Sequence, residues 1–328
     1  MTGLYDSFNR PISYLRISVT DRCNLRCIYC MPQDGISLVR HEDILTYEEI
    51  CMAAQAASEL GITKIRLTGG EPLVRSRLPQ LVRMLSKIDA IDDMSLTTNG
   101  TLLSHHAADL KAAGLKRVNV SLDTLRPDRF KFITRLGDNL SGVLEGIQIA
   151  KTVGLNPVKI NMVVMAGIND DEVAEFAAKT VEEGWHVRFI ELMPVSYGSA
   201  MSRHFVPASE IKKRLEVLGK LEPGPPVIGN GPARYFRFPD AAGTVGFITP
   251  ISEHFCFRCN RLRLTADGKL LPCLLSQEEV DVKRALRQDM STVELKELFE
   301  EAVARKPLCH LLAQGHSPPD RPFCRAGG

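Results

Sequence analysis

Cys23, Cys27 and Cys30 stand in a C-x3-C-x2-C array directly after an alternating run from Tyr14 to Thr20. Thiolates at this spacing can converge on one iron-sulfur cluster, and a four-iron cube held by only three of them keeps one iron open to a ligand. Zinc competes for clustered cysteines, but a structural zinc takes four ligands, and His41 lies eleven residues beyond Cys30. A second array, Cys256-x2-Cys259 with Cys273, puts two thiols before a hairpin turning at Asp267-Gly268 and one after it, gathering three again. Zinc is the rival there too, because C-x2-C knuckles occur in zinc ribbons, and the missing fourth cysteine counts against it. Arg261 and Arg263, two apart on a strand, face one side beside this array.

Three cysteines remain. Cys51 sits in a helical stretch and reads as a core thiol. Cys309-His310, His316 and Cys324 have the right side chains for a metal but match no ligand spacing. Thr68-Gly69-Gly70-Glu71-Pro72 closes a strand with a double glycine, which lets backbone approach a ligand and puts a carboxylate near it; the same pair also serves an ordinary turn.

The elements that must position these residues alternate strictly. Strands are expected at Tyr14 to Thr20, Lys64 to Gly70, Asp93 to Asn99, Arg117 to Asp123, Val158 to Val164 and His186 to Met193. Helices fall between them: one capped by Thr46 and Glu49 and stopping at Gly61, one marked by Leu78, Leu81, Val82 and Leu85, then Ser104 to Ala113, Leu140 to Thr152, and a last one capped by Asn169. Such alternation means a parallel sheet with helices outside, either a barrel or a doubly wound sheet. If the apolar strand face packs on helices, the inward face carries Arg16, Ser18, Arg66, Thr68, Thr97, Asn99, Asn119, Ser121, Asp123, Lys159, Asn161 and Arg188. Cations outnumber carboxylates on that face, which suits an anionic substrate, phosphate above all. After Met193 proline and glycine crowd the chain (Pro194, Pro207, Pro223 to Pro226, Gly229 to Pro232), dividing residues 1–193 from a second region, 194–328. Glu278 to Ala304 reads as a charged outer helix.

With 328 residues and 44% hydrophobic content the chain can bury a large core, and a net charge of +2 excludes a global field for nucleic acid or an anionic membrane. Nine cysteines and a polar N-terminus point to a reducing, cytoplasmic setting, and no apolar run is long enough to span a bilayer.

The Cys23–Cys30 loop with Tyr29 inside it, followed by the Gly-Gly-Glu-Pro run, resembles the radical S-adenosylmethionine (SAM) superfamily. With the second array, the blocks Leu96 to Gly100, Ser121 to Leu125 and Cys259 to Thr265, and the final Gly327-Gly328, the chain is similar to one branch of it, the GTP 3',8-cyclase family of molybdenum cofactor (molybdopterin) biosynthesis. Phe323-Cys324-Arg325-Ala326 departs from the small or hydrophobic lead-in associated with that family's terminal glycines.

The resemblance implies an α/β fold, a partial (β/α)6 TIM-like barrel, with a C-terminal segment carrying a second iron-sulfur cluster. It implies a 4Fe-4S cluster at Cys23, Cys27 and Cys30, SAM against Tyr29, Gly70, Ser121 and Met193, and another 4Fe-4S cluster at Cys256, Cys259 and Cys273. GTP would be held by Arg16, Arg66, Thr97, Lys159, Arg261 and Arg263, with Arg16, Gly327 and Gly328 taking part in catalysis. The implied reaction, of the carbon-carbon lyase class, starts from SAM cleavage, removes hydrogen from C3' of GTP and joins C3' to C8, giving (8S)-3',8-cyclo-7,8-dihydroguanosine 5'-triphosphate. Its implied partners are a flavodoxin-type electron donor, the next enzyme of molybdopterin synthesis and, as an oligomer, a homodimer. Rival readings are a two-cluster radical SAM enzyme acting on a peptide or another small molecule, and a non-catalytic metal-binding module.

Overall fold

The computed structural model describes residues 3–193, 201–229, 231–288, 291–310, 312 and 322–327. Strands and helices alternate through the first part: β1 (Tyr14–Ser18), α1 (Tyr47–Glu59), β2 (Lys64–Thr68), α2 (Leu78–Leu85), β3 (Asp93–Thr98), α3 (Leu103–Ala112), β4 (Arg117–Ser121), α4 (Pro127–Thr134), α5 (Leu140–Thr152), β5 (Lys159–Val164), α6 (Val173–Glu182) and β6 (His186–Glu191). They are followed by α7 (Ala208–Leu215), β7 (Glu222–Pro223), β8 (Arg234–Arg237), β9 (Thr244–Ile248), β10 (Arg261–Leu264), β11 (Lys269–Leu271), β12 (Val280–Asp281), α8 (Lys283–Arg287), α9 (Thr292–Ala304) and α10 (Phe323–Ala326).

One sheet carries these strands in the order β12-β11-β10-β1-β2-β3-β4-β5-β6-β9-β8-β7. From β1 to β6 each neighbour is parallel, the partial TIM-like barrel expected from the alternation. The C-terminal region is not a detached unit: β10 lies parallel beside β1, and β9 parallel beside β6, so residues beyond the Pro/Gly-rich segment extend both edges of the same sheet. Leu15, Ile17, Ile65, Leu67, Leu96, Val118, Val120, Ile160, Met162, Val187, Phe189, Leu262 and Leu264 pack with the outer helices in one apolar cluster.

Local signals explain several boundaries. Thr46 accepts from the Glu49 amide while Glu49 reaches back to the Thr46 amide, a reciprocal cap whose loss typically costs about 1 kcal/mol. Asn169 does not cap α6. A 3-10 turn over Asp170–Glu172 comes first, and the Asn169 amide donates instead to the carbonyls of Asp123 (2.8 Å) and Val163 (2.9 Å), tying the ends of β4 and β5. The single helix expected over Glu278 to Ala304 is broken into β12, α8 and α9, because Ser291 forms a fresh N-terminal cap with Glu294. Helix α4 was not anticipated, although Pro127 at its first turn followed by Asp128 is a start signal.

Candidate active site

The cysteine loop leaves the C-terminal end of β1 and is held from two sides. On one side its backbone hangs on the end of α4: Arg26 N–H donates to Thr134 O (2.9 Å), Ile28 N–H to Ile133 O (3.0 Å), and Arg135 reaches Met31 O (2.9 Å). On the other side the double glycine presses against the loop's base. A Cβ on Gly69 would lie 2.3 Å from Thr20 O, and one on Gly70 would lie 2.2 Å from Arg22 O. The glycines therefore admit the chain's own backbone, with Gly70 N–H donating to Thr20 O at 2.8 Å. Glu71 turns inward and is consumed structurally, accepting from Asn99 N–H (2.6 Å), Thr98 Oγ1 (2.7 Å) and Leu73 N–H (3.0 Å); burial lifts its pKa to about 7.

Cys23, Cys27 and Cys30 are half-buried free thiols at this end of the sheet. Burial pushes Cys23 up to about 11 and raises Cys27 and Cys30 further. Tyr29 donates to Asp123 (2.8 Å), which also accepts from Val163 N–H (2.8 Å) and whose pKa burial raises to about 6. Ser121 and Met193 stand at the ends of the β4 and β6 segments on the same rim.

The inward strand face is polar throughout, as register requires. Arg16 pairs with Arg66 on β2 and Arg263 on β10; Arg66 pairs with Ser95, Ser95 with Arg117, Asn119 with Lys159, and Asn161 with Arg188. Arg16, Arg66, Arg117, Lys159, Arg188 and Arg263 are each at most 8% exposed. Burial, reinforced by neighbouring cations, lowers Lys159 to about 6 and Arg263 to about 10; burial likewise takes Arg66 to about 10. Asp93 neutralises Arg117 through a two-pronged pair at 3.0 and 2.5 Å. Thr97 Oγ1, Arg117 Nη1, Asn161 Oδ1 and Arg188 Nε are buried without a hydrogen-bond partner. Unpaired buried polar atoms gathered on one strand face call for a further partner, such as water or a polar ligand. Arg117 could have been found in the sequence, since it shares parity with Asn119 and Ser121 on one strand.

The C-terminal segment enters this lumen. Gly327 O accepts from Arg16 (2.9 and 3.1 Å) and Arg263 (2.6 Å), and Ala326 O accepts from Arg263 (3.0 Å). Gly327 has φ +70°, and a Cβ there would stand 2.6 Å from Thr68 Cγ2. Gly328 and His316 lie outside the described residues.

The second triad sits beyond the N-terminal end of β10. Burial favours the neutral Cys259 thiol, yet Arg261 and Lys306 outweigh it and bring the group down to about 6, a ready thiolate. Lys306, 3% exposed, donates to Arg261 O (2.8 Å) and Pro272 O (2.6 Å), so it braces Cys259 and Cys273 together. Arg10, fixed by Asp6 (2.6 Å), donates to Cys256 O (2.7 Å), Pro307 O (2.7 Å) and Leu308 O (2.8 Å). Nothing in the polar N-terminal run suggested this anchor. Cys309 and Cys324, considered together as one metal site, part company: Cys309 adjoins Cys256, and Cys324 adjoins Cys23 and Cys30.

Residues 17–179 match the Radical SAM superfamily, and residues 185–312 match the family described as Molybdenum Cofactor Synthesis C. A protein of Moorella thermoacetica named GTP 3',8-cyclase is 52% identical over 325 residues, 99% of this chain and 100% of that one. Another of that name, from Pelotomaculum thermopropionicum, is 54% identical over 314 residues, covering 95% and 96%. The chain belongs to the GTP 3',8-cyclase family. Among solved structures, Streptococcus suis SuiB bound to S-adenosylmethionine superposes with a TM-score of 0.63 at 14% identity, over 88% of this chain and 65% of that one. Native anSMEcpe with bound AdoMet gives 0.58 at 17% identity, over 97% and 89%. Both likenesses concern the fold. A radical SAM chain works with SAM and an iron-sulfur cluster, and the three soft thiols on the rim are donors of the right chemistry for one. Among the described residues no helix is long and apolar enough to cross a membrane.

Proposed function

We propose that this chain converts GTP to (8S)-3',8-cyclo-7,8-dihydroguanosine 5'-triphosphate, an early step of molybdenum cofactor biosynthesis, in a lumen lying between two iron-sulfur clusters. Cys23, Cys27 and Cys30 would hold the first 4Fe-4S cluster and Cys256, Cys259 and Cys273 the second. When bound and reduced, the first cluster supplies the electron that splits SAM. Tyr29, Gly70, Ser121 and Met193 line the rim where SAM would lie, with Tyr29 oriented by Asp123.

The observation that carries this reading is the ring of buried cations, with orphaned Thr97, Asn161, Arg117 and Arg188 atoms among them. Arg16, Arg66, Thr97, Lys159, Arg261 and Arg263 would bind GTP, and Arg117 and Arg188 complete the set for a triphosphate. A peptide or an uncharged small molecule would bring no anion to Arg66, Arg188 and Arg263, whose burial without a counter-charge is costly. Arg16 and Arg263 hold Gly327 in place, so Gly327 and Gly328 would position the reacting ribose and keep water from it. The guanine edge would face the second cluster's open iron. Residues 1–193 would serve as the radical-generating barrel and 194–328 as the auxiliary-cluster region. A flavodoxin-type donor, the next enzyme of molybdopterin synthesis, a homodimeric state and a cytoplasmic setting complete the reading.

Anaerobically reconstituted protein given SAM, GTP and a strong reductant should form 5'-deoxyadenosine and the cyclised nucleotide, with about eight irons per chain. About four irons per chain would remove the second cluster, and 5'-deoxyadenosine without any change in GTP would remove the substrate assignment.

A further inference from the structure

Cys324 is 2% exposed, yet it belongs to neither of the molecule's apolar clusters. A buried free cysteine ordinarily behaves as a small hydrophobe packed among others. This one instead lies against the cysteine loop. Its carbonyl accepts from Ser18 Oγ (3.3 Å) at the end of β1, where the cysteine loop departs, and Cys23 and Cys30 are both close enough to act on it electrostatically. The surrounding tail is pinned on both sides: Arg325 donates to Ser37 O in the chain just past Cys30, and the Gly327 carbonyl is clamped by Arg16 and Arg263. Four free thiols are thereby assembled at one rim by elements 294 residues apart in sequence, with no disulfide among them.

We propose that Cys324 is an exchangeable fourth ligand of the cluster held by Cys23, Cys27 and Cys30, occupying the iron that those three leave open until SAM arrives. The proposal rests on the reading of that triad as cluster ligands. On coordination the Cys324 S–H bond breaks, its proton goes to solvent and an iron–sulfur bond forms; when SAM ligates the same iron, that bond breaks and the thiolate regains a proton. No electron changes hands. The chemical consequence is a cluster closed to oxygen, water and stray ligands while no SAM is present.

The test uses the full chain, anaerobically reconstituted, beside its Cys324→Ala and Cys324→Ser variants, with SAM affinity by equilibrium binding and electron paramagnetic resonance of the reduced protein as readouts. Removing a ligand that SAM must displace should tighten SAM binding, by about tenfold, in both variants. Without SAM, cyanide should alter the resonance of the variants and leave this part of the intact protein's signal unchanged, any response of the second cluster being common to all three. With SAM bound, the three spectra should coincide. Unchanged or weaker SAM affinity with identical SAM-free spectra would reduce Cys324 to a packing residue and overturn the proposal. Failure of the underlying reading looks different: no SAM-dependent signal in the intact protein and no iron lost from a Cys27→Ala control would overturn both.

Discussion

A lysine surrounded by guanidinium groups has its charge controlled by the lumen. Lys159 Nζ donates to Ile228 O (2.5 Å) and faces Arg188, Arg117 and Arg66, with His186 alongside and Asp93 as the offsetting carboxylate; burial and these cations bring it to about 6. His186, itself held near 4, is neutral above that and contributes no titration of its own. The ligand-free lysine is thus uncharged in mildly alkaline solution, and a triphosphate bound beside it would restore its charge. Since the complex carries the extra proton, GTP affinity should fall as pH rises above the free-state value, by at most about tenfold per pH unit. Titration calorimetry in buffers of different ionisation enthalpy should detect uptake of close to one proton, and Lys159→Arg should abolish it; buffer-independent heats in the intact chain would contradict this account. Among the described residues Arg66 donates to Ser95 and lies over the Tyr14 ring, so Arg66→Ala should weaken GTP roughly 30-fold while sparing guanosine, corresponding to about 2 kcal/mol from one truncated buried charge. Arg263 is different, because its guanidinium is already engaged by the tail carbonyls, and its loss should lower turnover as well as affinity.

Among the elements, the junction of the β2 end with the cysteine loop tolerates least. Gly70→Ala would drive a Cβ into Arg22 O at 2.2 Å, and only movement of the loop relieves it, so iron at the first cluster should drop while the second is retained. Gly167→Ala is the control: with φ +71° and open space around it, only the backbone term of about 1 kcal/mol applies. Iron analysis of both proteins separates the two cases, and equal iron contents would mean the glycines have no bearing on the loop. Much of this arrangement is legible in the sequence because a two-residue period fixes which side chains share a face: Arg16, Arg66, Thr97, Lys159 and Arg188 are inward as their alternation demands. Helix α4 is harder to see, since its apolar positions Phe130 and Ile133 are few and half its role is to offer carbonyls to the loop. The partners of Arg10 and Cys324 are invisible in principle. Their contacts cross nearly the full chain, and no local propensity encodes such a meeting.

At the scale of the molecule, the sheet's continuity makes the two regions interdependent. A chain ending at residue 193 would leave β1 and β6 as bare parallel edges, without β10 and β9. Such edges invite pairing with other chains, so the fragment should aggregate where the intact protein remains dispersed. Sedimentation of the fragment checks this, and a monodisperse fragment would show that the barrel stands alone. Removal of Gly327 and Gly328 is the converse cut: β10 stays in place, so iron content and GTP affinity should change little. Cyclised product should fall by about 100-fold if the tail positions the ribose as proposed. Turnover within about twofold of the intact chain would leave the tail without a catalytic task.

The clamp on Gly327 also imposes an order in time. Arg16 and the carbonyl it holds are 311 positions apart. At a synthesis rate of about 5–20 residues per second, Arg16 waits on the order of 15–60 seconds for its partner to emerge. Throughout that interval the nascent polypeptide already contains Cys23, Cys27 and Cys30 yet lacks the peptide that closes the chamber. Arrested translation products would therefore lack the clamp and, if short enough, the strands beside β1 and β6, so the three cysteines stand in a finished chamber only when the chain is nearly complete.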